Sequence, residues 1–229
     1  MKSLILIGVS FLFSVNCFAQ KRKIFKINPG EKVIETIPKE EMYSFTAFED
    51  GTVLFKNNNF SKAKMNYNSL YGEMMFIDAK GDTLSITDET TIKLIAIKKD
   101  TFFVAAGYLQ LVADFGSIKL ARKQFFSFVN RQKLGPFGEP TSATVDTYNR
   151  ASSSTYFKEL VPKEILTLAK NTELYIGDRF NNFKAVNKKN LAEFFSDKQK
   201  ELSSYLKENK TDFSNEEEIK TLIAQFVNK

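Results

Sequence analysis

The stretch "MNYNSLYGEMMFIDAKGDTL", Met65 to Leu84, decides the fold. Met65 and Tyr67 share one side of an extended segment, and Met74 and Phe76 share one side of the next. Leu84 and Ile86 do the same in a third, and this alternation of apolar and polar residues is the period of a β-strand. Between the runs lie Tyr71-Gly72 and Lys80-Gly81-Asp82, residues that allow a chain to reverse direction. The stretch therefore reads as consecutive hairpins. Asn66 and Asn68 fall on the side opposite Met65 and Tyr67 and are expected to face solvent. Asp78, Asp82 and Asp88 suggest a calcium loop, but such a loop needs its acids at alternate positions before the glycine, and only Asp78 precedes Gly81. A tight hairpin turn at Asp78 to Asp82 is the better reading, and no metal site is assigned.

The same pattern extends in both directions. From 24 to 129 the chain shows about nine short alternating runs, separated by Glu49-Asp50-Gly51, Asn57-Asn58-Asn59, Lys99-Asp100 and Phe115-Gly116-Ser117. No stretch of helical period interrupts them, which argues against a parallel sheet built from crossover helices. Leu174 and Ile176, then Phe183 and Ala185, flank one more turn. The period then changes to that of a helix. Leu191, Phe194 and Phe195 form one apolar stripe, Leu202, Tyr205 and Leu206 a second, and Ile219, Leu222, Ile223 and Phe226 a third. Ser196 with Gln199, and Ser214 with Glu217, have the spacing of capping boxes at helix starts. The expected fold is α+β: mainly antiparallel β, as a barrel, roll or sandwich, with a C-terminal helical cap of about three short helices.

Four segments follow from this pattern. Residues 1–19 combine Lys2, an apolar run and the small residues Cys17 and Ala19, the arrangement of a cleaved signal peptide. The run is shorter than a membrane span requires, and Ser14-Val15-Asn16 is a poor context for lipid attachment at Cys17. The mature chain is expected to start at Gln20 and to be periplasmic or secreted, without a transmembrane segment. Residues 20–130 form the antiparallel β domain. Residues 131–155, rich in Pro, Ser and Thr, read as a flexible loop. Residues 156–229 carry the β-hairpin and the helices packed on the β domain.

Composition closes several chemistries. The chain has no histidine and no tryptophan, and its one cysteine is Cys17. Serine and cysteine nucleophile systems that need histidine are thereby excluded, as are zinc, copper and haem sites held by histidine or cysteine. With 23 phenylalanines, stability must come from aromatic packing in place of disulfides.

The run Gly51 to Lys56, then Asn66-Tyr67-Asn68, Gly72-Glu73-Met74, Phe76-Ile77 and Asp82-Thr83-Leu84, resembles a family of small secreted proteins of unknown function from Gram-negative bacteria. The ending is also similar to that family's, through Asn187-Lys188-Lys189, Ser196-Asp197-Lys198, Lys207 to Lys210 and Glu217-Glu218-Ile219. Where the family has a glycine-rich segment, this chain has Pro, Thr and Ser. The resemblance implies export and a β-rich half followed by helices, and it assigns no activity, cofactor or site residue.

No catalytic constellation stands out. Ser204 and Lys207 have the S-x-x-K spacing, but the stripe beside them makes both outward-facing, and the companion motifs are missing. Glu216, Glu217 and Glu218 suit the positive end of a helix better than a metal. No glycine-rich phosphate loop occurs, so no cofactor is assigned. One positive signal remains. The chain carries a formal net charge of +6, and eight basic residues against two acids lie between Ile92 and Gly135. Lys93, Lys119, Arg122, Lys123, Arg131 and Lys133 are the candidates for a basic face that would bind anionic lipid, a polysaccharide or an acidic envelope protein. Export argues against nucleic acid. The reading is an exported cell-envelope binding or structural protein, with a carboxylate-based hydrolase of the envelope as the alternative.

Overall fold

The computed structural model describes residues 22–133, 135 and 157–227. Residues 1–21, which include Cys17 and the segment read as a signal peptide, and most of 131–155 lie outside the described residues. Within them the chain builds an 11-stranded antiparallel sheet.

β1 (Lys23–Ile27) is followed by two short helical turns, α1 (Val33–Thr36) and α2 (Lys39–Met42). Next comes a meander of β2 (Glu49–Phe55), β3 (Phe60–Asn68), β4 (Glu73–Ile77) and β5 (Thr83–Ser85). A 3-10 turn at Glu89–Thr91 brings the chain back beside β2, where β6 (Ile92–Ile97) starts a second meander. That meander continues through β7 (Asp100–Ala105), β8 (Gly107–Asp114), β9 (Ile118–Gln132) and β10 (Ile165–Asp178). The order across the sheet is β1-β10-β9-β8-β7-β6-β2-β3-β4-β5, and β11 (Phe183–Ala185) joins the flank of β10 beyond β1. The helical cap is α3 (Lys188–Phe194), α4 (Gln199–Asn209) and α5 (Glu216–Val227). The expected α+β class with a mainly antiparallel sheet and three C-terminal helices is what the chain adopts. The α1 and α2 turns correct the reading of an unbroken run of strands.

The hairpin reading of Asp78 to Asp82 has a physical basis in the structure. The Asp78 carboxylate accepts from the backbone amides of Lys80 at 2.8 Å and Asp82 at 2.9 Å, with Gly81 left-handed at φ 90°. Asp178 closes the β10–β11 hairpin in the same way, accepting from Phe180 and Asn182 at 2.8 and 2.9 Å.

The sheet coils until one face closes on itself. Tyr67 in β3 donates to the backbone carbonyl of Gln124 in β9 at 2.9 Å, although four strands separate them in the sheet order. The segment from β1 to β2 returns alongside β3, with Tyr43 bridging Asn68, and this overturns the expectation for the two asparagines. Asn66 and Asn68 are 2% and 1% exposed. Asn66 accepts from the Phe45 amide at 3.1 Å and donates to the carbonyls of Phe45 at 2.8 Å and Ala47 at 3.1 Å. A side chain on the polar side of its strand thus substitutes for a neighbouring strand and holds the 43–48 arm in place. Asn68 accepts from the amides of Leu70 and Tyr71 and shapes the turn into β4.

Helix starts also differ from expectation. The cap of α5 is Asn215, which accepts from the amides of Glu217 and Glu218 while its own amide donates to Glu218, one residue later than the Ser214–Glu217 box. Ser214 instead donates to Asp212 at 2.7 Å. Ser196 opens a 3-10 turn, and the Gln199 side chain donates to the Ala192 carbonyl of α3. In both cases the register is set by packing, because Ile219 and Leu202 must reach the core.

Three apolar clusters fill the concave side. Ile118, Leu120, Leu174 and Ile176 meet Leu202, Ile219, Leu222, Ile223 and Phe226 of the helices. Ile27, Phe126, Leu166 and Leu168 meet Val33, Ile37 and Met42. Met65, Tyr67, Met74, Ile95, Phe102 and Tyr108 form the third, with ring centroids 6.0 Å apart for Tyr67–Phe102 and 5.8 Å for Tyr67–Tyr108.

Candidate functional site: a polar groove on the concave face

Read along its inward side, β9 runs Ile118, Leu120, Arg122, Gln124, Phe126. The facing side of β10 runs Ile176, Leu174, Thr172, Lys170, Leu168, and the register pairs Arg122 with Leu174, Gln124 with Thr172 and Phe126 with Lys170. Both strands are apolar at either end and polar in the middle. The break lies between the helix-side cluster and the β1-side cluster. Gln110 of β8 extends it, since Gln110 pairs with Arg122 on one side and Phe102 on the other. At the opposite end Lys23 stands beside Lys170 across the β1–β10 ladder. The result is a polar groove running across β1, β10, β9, β8 and β7. Four strand spacings make it about 19 Å long.

Two hollows form the groove, and both are lined by Gln124. One, of about 430 Å³, is bounded by Arg22, Lys23, Glu41, Lys170, Thr172 and Ser214. The other, of about 570 Å³, is bounded by Ser44, Phe45, Lys98, Lys99, Gln110 and Arg122, with Asp100. Both fall in the volume range of small-ligand sites.

Charges in the groove are linked in two sets. Lys23 and Lys170 share the Glu41 carboxylate of α2, the Lys170 contact being 3.5 Å. The hydrogen bond from Lys23 is the main reason the Glu41 carboxyl is held below its usual value, with Lys170 adding to it against the effect of burial. Burial lowers the Lys170 ammonium, which Glu41 partly offsets. In the second set Arg122 donates from Nε to Gln110 at 3.0 Å, and Gln110 donates to Asp100 at 3.1 Å. The same guanidinium pairs with Glu216 at the start of α5 at 3.2 Å, tying the helical cap to the sheet. Lys98 pairs with Glu49 at 2.7 Å. Six cations thus face or flank the groove against the four carboxylates Glu41, Glu49, Asp100 and Glu216. Among the described residues Arg22 and Lys99 have no carboxylate partner. Lys98 also adopts a left-handed φ of 52° at the head of the β6–β7 hairpin, where Gly or Asn would be less strained.

Glu41 gives the groove an acid limit that can be measured. A carboxyl with a lowered folded pKa stabilises fully above its unfolded value, and the contribution is lost as pH falls through the folded value. Glu41→Gln should therefore lower stability at pH 7 by about 2 kcal/mol, the worth of hydrogen bonds to charged partners. The difference from wild type should shrink below about pH 4.5. Denaturant midpoints across pH 3 to 8 read this directly, and two parallel curves would show that Glu41 is not the titrating group.

The structure divides the six basic candidates read from the sequence. Arg122 lies in the groove. Lys119 and Lys123, two residues either side of Ala121 in β9, project from the opposite face of the sheet. There Lys119 donates to the carbonyls of Asp178 and Arg179 at 3.5 and 3.4 Å. Lys123 lies 5.7 Å from the Phe125 ring centroid. Arg131 stacks on Phe128 at 5.8 Å, about 40 Å of strand away from Lys119. Lys133 follows the end of β9, and Lys93 is exposed on β6 where the β2–β6 register shifts. These residues form no single face. Sequence reasoning missed Arg22, Lys23 and Lys170 as groove residues, along with the uncharged Gln110, Gln124 and Thr172. Ser204 and Lys207 are both exposed on α4. No helix among the described residues is long and apolar enough to cross a membrane. Comparison with family models, curated proteins and solved structures finds no match for this chain.

Proposed function

We propose that the chain is an exported cell-envelope binding protein that takes an anionic ligand in the concave groove. One observation carries this reading: on β9 and β10, inward positions that continue as apolar residues at both ends are given to Arg122, Gln124, Lys170 and Thr172. An inward cation or amide costs stability unless it is hydrogen-bonded, so a core selected for packing alone would be apolar there. The surplus of cations sets the sign of the ligand.

The carboxylate-based hydrolase finds less support in the groove. A general acid needs a carboxyl whose pKa is raised. Glu41 is held in the opposite direction by its two lysines.

Two double variants with equal change in net charge test the site. Arg122→Gln with Lys170→Gln should weaken binding of an anionic probe at least tenfold. Lys119→Gln with Lys123→Gln, on the other face, should change it less than threefold. Inorganic polyphosphate is a suitable first probe, titrated at low and at physiological salt because exposed attractions are screened within about 8 Å at the latter. Equal losses in the two variants would mean that net charge acts and the groove does not.

A further inference from the structure

Resting on the anionic reading of the groove, we infer that its ligand is an extended acidic glycan, a chain of sugar rings bearing carboxylates, and not a lipid surface or an acidic peptide. Three features of the lining point there. Between the cations the groove presents uncharged hydrogen-bonding groups: Ser44, Gln110, Gln124, Thr172 and Ser214. Amides and hydroxyls that both donate and accept match sugar hydroxyls, which do the same. A lipid headgroup or a polyglutamate chain has few hydroxyls to meet them.

Shape is the second feature. The two hollows lie in line across five strands, over about 19 Å, which suits a linear oligomer better than a single headgroup. Cations stand towards both ends, with Arg22, Lys23 and Lys170 at one and Lys98 and Lys99 at the other. Acid groups spaced along a chain would meet both. The lysine pair at the first end already holds a carboxylate, that of Glu41. Phe45 is part of the wall of the second hollow.

The third feature concerns apolar contacts. A protein that lies on a membrane drives apolar side chains in beside its cations. Among the described residues the exposed large apolar side chains are Ile24, Phe60, Leu84, Val161 and Phe180, and none of them lines the groove. Phe60 and Phe180 sit beside two different hairpin turns, β2–β3 and β10–β11.

The test uses calorimetric titration of the folded protein with size-defined oligogalacturonates, their methyl esters, polyglutamate and phosphatidylglycerol vesicles. Oligogalacturonate should bind, affinity should rise with length and level off once the groove is filled, and the uncharged ester should bind at least tenfold more weakly. Gln124→Ala with Thr172→Val, which leaves net charge unchanged, should weaken the acidic oligomer about tenfold. The bond from Tyr67 is to the Gln124 backbone carbonyl, so it survives the substitution. Unchanged affinity in that variant would overturn the inference, since charge alone would then be acting. Tighter binding of vesicles or polyglutamate than of oligogalacturonate would overturn it while leaving an anionic ligand in place. Binding of no anion at low salt would remove the anionic reading itself.

Discussion

A chain ending at Phe195 is expected to lose its cooperative unfolding transition and to aggregate. The helix-side cluster would keep Ile118, Leu120, Leu174 and Ile176 on the sheet, but would lose Leu202, Ile219, Leu222, Ile223 and Phe226, all at most 2% exposed. Each such side chain contributes roughly 1.5–3 kcal/mol by its burial, so the five together approach the whole stability of about 5–15 kcal/mol typical of a domain. Arg122 would also lose Glu216. Thermal unfolding followed by circular dichroism, with light scattering, checks this. A soluble truncated chain with an unchanged midpoint would make the helices a separate module.

The second large effect is expected at Asn66. Asn66→Leu is close in shape, but it leaves the Phe45 amide and the carbonyls of Phe45 and Ala47 without the partners they have at 2.8–3.1 Å. Each unsatisfied backbone group costs about 1–3 kcal/mol if it stays dry, so a loss of about 3–5 kcal/mol is expected. If water reaches the groups instead, the cost falls and the 43–48 arm opens. Denaturant unfolding measures the first outcome and hydrogen exchange at 43–48 the second. Wild-type behaviour in both would mean that Asn66 does not hold the arm. Ser44 and Phe45 belong to that arm and to the groove wall, so anion binding should weaken together with the loss of exchange protection.

Much of the fold is legible in the sequence because a β-strand writes its two faces at alternate positions. Met65 with Tyr67, and Met74 with Phe76, announce their strands without help from the rest of the chain. The helices are equally plain, since Ile219, Leu222, Ile223 and Phe226 admit only the helical period. Asn66 is not legible in that way. Its polarity suggests solvent, and only the arm returning from β1 to β2, whose path no local pattern encodes, makes its position interior.

The groove was partly legible. Alternation alone puts Arg122 on the face opposite Lys119 and Lys123, whereas a count of charge along the chain merges them. Lys170 and Thr172 stand at inward positions of a strand that otherwise reads Leu168, Leu174, Ile176 on that side, so a gap in the apolar side is the signal that could have found them. Arg22 and Lys23 could not be placed in this way. Lys23 reaches the groove through a ladder whose partner strand lies far along the chain, and Arg22 is the residue just before that ladder.

That ladder sets the order in which the molecule can be made. Among the described residues β1 pairs only with β10, Lys23 opposite Lys170, so β1 has no partner until almost all of the described sheet exists. Closing such a distant contact costs loop entropy before any contact is gained, which slows folding. The two meanders can form from neighbouring hairpins, but the end of the groove that holds Lys23 must be completed late. Ligand binding should therefore recover after the bulk of the sheet in a refolding time course, and a chain interrupted before β10 would carry β1 as an unpaired strand open to other chains.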